Sequence, residues 1–112
     1  MEDNAQDLLD KYGITPPPCG ADCPKGWLPL VEGLIQDLIA AGWDKDCQQV
    51  KEKFGGLRFY IGEGNPQVRE LIARAESESL NTCQECGTPG TRRSSKGWIY
   101  TACDAHVVLP RP

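Results

Sequence analysis

Four residues in the last third of the chain offer its most specific chemistry. Cys83-x-x-Cys86 and Cys103-x-x-His106 stand sixteen residues apart, and His106 is the only histidine of the 112 residues. Two ligands separated by two residues can turn back on the same ion, and Gly87, directly after the first pair, lets the backbone wrap the sulfurs without a Cβ in the way. Two such pairs make the four ligands of a closed tetrahedral zinc site. Thiolate with imidazole suits zinc, whereas magnesium and calcium prefer oxygen. Iron–sulfur ligation is disfavoured, because histidine is an uncommon ligand there and no fourth clustered cysteine completes the set. Haem attachment needs His immediately after C-x-x-C, where this chain has Gly87.

The same assignment argues against catalysis. A catalytic zinc normally keeps a position open for water, and four protein ligands leave none. His106, once a ligand, is lost as a proton acceptor. A zinc deaminase would need an H-x-E context, but Val107 and Val108 follow His106. No carboxylate pair is singled out among the sixteen acidic residues. The expectation is a structural zinc in a protein that is not an enzyme.

The residues between the pairs must bring them together. "TPGT" reads as a turn and "KGWIYTA" has strand propensity, so a short hairpin can return the second pair to the first. The pattern is that of a zinc ribbon or a shortened treble clef, since "DAHVVLPRP" reaches Pro110 too soon for a long final helix. Arg92, Arg93, Lys96 and Trp98 lie on this loop and are the candidate partner contacts: basic groups for phosphate, an indole ring for a base. Cys19, Cys23 and Cys47 form a poor metal site with only three ligands. They read as free thiols, Cys23 and Cys47 partly buried, with a Cys19–Cys23 disulfide as the alternative.

Upstream, the spacing predicts three helices and one further hairpin. Ala5, Leu8, Leu9 and Tyr12 share one face of a short helix over residues 2–12, ended by Gly13. "ITPPPCGADCPKG" follows as an extended connector without regular structure. From Trp27, the residues Leu30, Val31, Leu34, Ile35, Leu38 and Ile39 make a continuous apolar stripe, with Pro29 in the first turn and Gly42 after the last. Residues 47–62 read as a β-hairpin with Gly55-Gly56 at or beside the turn and with Leu57, Phe59 and Ile61 on its buried face. Asn65 and Pro66 then open a helix carrying Val68, Leu71, Ile72, Ala75 and Ser79 toward Cys83. The fold class expected is α+β: two main helices on a small antiparallel hairpin, closed by the zinc module. It forms a single domain over 1–112, divided into an amino-terminal helix and connector (1–26), a helix–hairpin–helix core (27–82) and the metal module (83–106).

"QVKEKFGGLRFYI", the "GW" before the main helix, and the C-x-x-C-G and C-x-x-H elements together resemble a group of small, functionally uncharacterised proteins of bacteria, prophages and phages. The likeness covers about residues 23–106. It implies a phage-type accessory protein that binds and modulates or inhibits a host protein, with an anti-defence role as a candidate. Binding of nucleic acid through the 92–98 loop is the alternative.

Composition agrees with a small domain of this kind. Twelve glycines and nine prolines mean much turn and loop, and a core this modest gains from a metal cross-link. Residues 1–46 carry net charge −6, residues 47–82 are balanced, and residues 83–112 carry +2, for −4 overall. A net acidic chain is a poor general nucleic-acid binder. With neither a leader-like amino end nor a spanning segment, the expected location is the cytoplasm of the bacterial cell or phage host, where the six cysteines stay reduced.

Overall fold

The computed structural model describes residues 4–14 and 20–107; the reading of Cys19 as a thiol or disulfide partner lies outside them. Helix α1 (Ala5–Lys11) starts where Asn4 accepts a hydrogen bond from the Asp7 amide, which places its first turn later than the apolar pattern alone suggests. It buries Ala5, Leu8 and Leu9, and Gly13 follows with φ +69°. Helix α2 (Leu28–Ala40) has Pro29 in its first turn and buries Val31, Leu34, Ile35 and Leu38, as the stripe requires. Trp27, wholly buried, precedes it in a 3₁₀ turn over Lys25–Trp27.

Strands β1 (Cys47–Lys53) and β2 (Gly56–Ile61) form the first antiparallel hairpin. Its turn is centred on Phe54 and Gly55, at φ +54° and +81°, rather than on the glycine pair. Positive φ at both central residues is the primed geometry whose twist suits a two-residue hairpin, and Gly56 already belongs to β2. The connector is less irregular than its prolines suggest. Gly20 and Asp22 exchange backbone hydrogen bonds with Val50, so Ala21 forms a parallel bridge along the free edge of β1.

Helix α3 (Pro66–Ser79) is capped by Asn65, whose side chain accepts from the Val68 amide at 2.8 Å. It covers the other edge of the hairpin. Ser79 Oγ accepts from the Leu57 amide at 2.8 Å, and Glu76 Oε2 accepts from the Phe59 amide at 3.0 Å. Two side chains thus supply what a third strand would have given β2.

Strands β3 (Thr91–Ser95) and β4 (Trp98–Ala102) form a second antiparallel hairpin, again with a primed turn, at Lys96 and Gly97. The architecture is therefore α+β, with three α-helices and two small antiparallel sheets among the described residues. Two apolar clusters hold it. The main one joins α1, α2, α3 and the first hairpin through Leu8, Trp27, Ile35, Leu38, Leu57 and Val68; the small one contains only Cys83, Tyr100 and Ala102 with Cys103 against it. Each fully buried Leu, Ile or Val in the first contributes about 1.5–3 kcal/mol. The second has almost nothing of the sort. Among the described residues, no helix is long and apolar enough to cross a membrane.

Candidate metal centre

The first ligand pair sits on a knuckle that begins as α3 ends. Cys83 donates its amide to Thr88 and accepts from the Gly87 amide at 2.9 Å, which folds residues 83–88 into a tight loop. Gly87 stands at φ +79°, where a Cβ would meet the Gly26 carbonyl oxygen at 2.8 Å. Gly26 is equally confined from its own side: a Cβ there would lie 2.3 Å from the Cys83 carbonyl oxygen, and its amide donates to the Gln84 carbonyl at 2.9 Å. Next to it, Trp27 Nε1 donates to the Thr82 carbonyl at 2.9 Å. The Gly26-Trp27 dipeptide is the seat of the knuckle.

The second pair arrives from β4. Gln84 joins the two: its amide donates to the Thr101 carbonyl, and its side-chain oxygen accepts from the Thr101 amide at 2.6 Å. Cys103 follows Ala102, and a 3₁₀ turn over Asp104–His106 swings the imidazole back. Arg93 secures this turn, donating through Nε to the Ala102 carbonyl at 3.0 Å and pairing through Nη2 with Asp104 Oδ1 at 2.8 Å.

Cys83, Cys86, Cys103 and His106 come together with all four ligand atoms within 4.8 Å of one another. Bonds of about 2.3 Å to sulfur and 2.0–2.1 Å to nitrogen, arranged as a tetrahedron, put sulfurs about 3.8 Å apart and sulfur about 3.6 Å from nitrogen. Cys86 and Cys103 Sγ stand 3.7 Å apart, and His106 Nδ1 lies 3.6 Å from Cys83 Sγ and 3.2 Å from Cys103 Sγ. The set fits a four-coordinate metal bound through Nδ1. Cys83 is buried, while Cys86 is exposed with its sulfur 3.0 Å from the Thr88 hydroxyl.

The electrostatics favour a cation there. Burial works to raise the Cys83 thiol, but hydrogen bonds from the backbone of Cys103, Cys86 and Glu85 and from the Cys103 side chain outweigh it, bringing it down to about 6. His106 is raised from its ordinary value, first by its hydrogen bond to Cys83, against the opposing effect of burial and with the Cys86 sulfur adding to the rise. The sulfur charge that draws a proton to the imidazole would also draw a metal ion, which displaces that proton on binding. The remaining described thiols are of the opposite kind. Burial, with the charge of Asp22, pushes Cys23 up to about 12; burial also pushes Cys47 up to about 11, against a hydrogen bond from the Gln49 backbone. Both are free.

The candidate partner contacts separate. Opposed residues of an antiparallel pair share a face, so Arg93 stands with Tyr100 and Arg92 with Thr101, on opposite sides of the hairpin. Arg92 donates to the Phe54 carbonyl at 2.9 Å, where Thr101 Oγ1 also donates to Gly55. Lys96 stands in the turn, and Trp98, 54% exposed, stacks on Tyr100 with ring centroids 5.1 Å apart. Among the candidate contacts, the two arginines thus leave opposite faces of the hairpin, Arg92 bonded to the Phe54 carbonyl and Arg93 to Ala102 and Asp104.

Sequence reasoning missed the seat and the braces. Trp27 was legible as a core residue, but its indole bond to Thr82 was not; Gly26, Gln84 and Thr101 carry no periodic signal at all. The "GW" of the family-like pattern was the one available hint. No family model, curated protein or solved structure matches the chain.

Proposed function

We propose that this chain is a zinc-stabilised accessory protein of the phage or prophage type, which binds and modulates or inhibits a host protein in the host cytoplasm. Zinc suits the three thiolates and one imidazole better than any hard cation, and four protein ligands leave no position for a substrate. The role of the metal is then to hold a binding surface. The observation that carries this reading is Trp98: its ring is 54% exposed, supported from beneath by Tyr100, on a hairpin whose two ends are the ligand pairs. A large aromatic displayed on a braced strand has the character of an interface anchor. An anti-defence role is the form of inhibition that a phage protein of this size suggests.

Capture from host cells with the tagged chain is expected to recover one stoichiometric host protein. Trp98→Ala should keep zinc and fold but lose that protein at least tenfold. Equal capture by the variant, or no stoichiometric partner with the wild type, contradicts the proposal. A nucleic-acid contact made jointly by Arg92, Arg93, Lys96 and Trp98 has less support, because the two arginines leave opposite faces of the hairpin and Arg93 is paired with Asp104.

A further inference from the structure

The segment "KEKFGGLRFY" has so far accounted for a hairpin and its buried face. Its other face is chemically distinct. In the β1–β2 register Val50 opposes Phe59 and Glu52 opposes Leu57, and Val50, Phe59 and Leu57 are buried. The opposite face pairs Gln49 with Tyr60, Lys51 with Arg58, and Lys53 with Gly56. It therefore presents Lys51, Lys53 and Arg58 together, with no carboxylate among these strand positions, in a chain whose net charge is −4. Glu52 points the other way, and its Oε2 accepts from the Gly55 amide.

Two aromatic rings accompany these cations. Tyr60 is 40% exposed with Lys51 Nζ 5.7 Å from its ring centre; Phe54 is 56% exposed with Lys53 Nζ at 5.6 Å. Phe54 is the more telling. It occupies a left-handed position, φ +54°, at a turn site where Asn, Asp or Gly is unstrained, and its ring is mostly outside the core. A strained, exposed phenylalanine serves neither its turn nor its core, which points to a use outside the fold. A groove of about 210 Å³ beside it is lined by Lys53, Arg58 and Arg92, with Glu76 held by the Phe59 amide.

We propose that the outward face of β1–β2, with Tyr60 and Phe54 as stacking platforms and Lys51, Lys53, Arg58 and Arg92 as phosphate contacts, is a binding site for single-stranded nucleic acid. Exposed rings interleaved with cations on a strand surface offer π-faces that only unstacked bases can use, and this separates a single strand from a duplex or an acidic protein. The site is distinct from the Trp98 surface and does not depend on the host-protein reading.

The test is fluorescence anisotropy of the zinc-loaded full chain with a labelled single strand of about 20 nucleotides, with a duplex of the same length and polyglutamate as comparators, over a salt series. Saturable binding of the single strand is expected, with a log–log salt slope of about −2 to −3 for three or four phosphate contacts. Tyr60→Ala and Phe54→Asn should each weaken it by about fivefold or more at unchanged zinc content and circular dichroism, Tyr60→Phe should retain it, and Lys51→Gln should flatten the slope by about 0.7. Absence of saturable binding, equal affinity for the duplex or for polyglutamate, or full affinity in both aromatic variants would each overturn the proposal.

Discussion

Gly26 has no room for a single added carbon. With the Cys83 carbonyl oxygen 2.3 Å from where a Cβ would stand, and backbone atoms of Gln84 at 2.7 Å, Gly26→Ala must move the knuckle that carries the first ligand pair. Overpacking of this kind costs about 1–3 kcal/mol. Urea unfolding of Gly26→Ala is expected to show that loss together with weaker zinc retention under chelator competition; wild-type behaviour in both would refute the seat. Phe54 gives the opposite sign. Placing Asn at its left-handed position relieves about 1 kcal/mol of backbone strain, so Phe54→Asn should raise the urea midpoint. Two thiols, Cys47 buried and Cys23 half-buried, set an alkaline limit. Cys23 and Cys47 have folded values of about 12 and 11, raised above an ordinary 9.0 first by burial. Their neutral forms favour the folded state fully below pH 9.0, and that stability is lost as pH rises through about 11 to 12. Replacing both by Ala is expected to flatten the fall of unfolding free energy above pH 9.0; an unchanged slope would contradict the assignment.

At the scale of elements, α3 is tied to β2 by pegs rather than by apolar contact alone. Ser79 is fully buried and accepts from the Leu57 amide. Ser79→Ala leaves that buried N–H unsatisfied and should cost about 1–3 kcal/mol by urea unfolding, with the helix content intact. A loss below about 0.5 kcal/mol would mean that water or another group replaces the hydroxyl. This contact also shows what sequence could and could not reveal. Ser79 was placed on the buried side of α3 by its spacing from Val68, Ile72 and Ala75, because helical period is a local property. Which amide its hydroxyl meets depends on how α3 lies across the sheet, a non-local outcome. The same divide runs through the candidate metal centre. Cys83, Cys86, Cys103 and His106 were readable because paired ligands two residues apart are a local signature, and the return hairpin follows from turn and strand propensity. Gly26 reaches Gln84 across 57 intervening positions, and Arg92 reaches Phe54 across more than thirty; no local pattern encodes either. Gly55-Gly56 was legible as lying at or beside the turn, but that Phe54 shares the turn with Gly55 follows from strand register, set by burying Val50 against Phe59, which decides which residues are left to turn.

Across the whole molecule, stability is divided unequally. The main core packs three helices on the first hairpin, whereas among the described residues the second hairpin has only Cys83, Tyr100 and Ala102, with Cys103 against them, as its apolar cluster and is otherwise held by polar braces. A cluster so small contributes little against the chain entropy of ordering residues 83–106, and the zinc proposed for the four ligands would supply the difference: structural zinc binding is worth on the order of 10 kcal/mol in small modules. Zinc content by mass spectrometry under native conditions, read alongside amide exchange of the same sample before and after chelation, examines this directly. One zinc per chain is expected, absent from Cys83→Ser, with chelation removing exchange protection from Tyr100 to Ala102 while Ile35 and Leu57 remain protected. A chain that carries no metal, yet keeps Tyr100 to Ala102 protected, would contradict it.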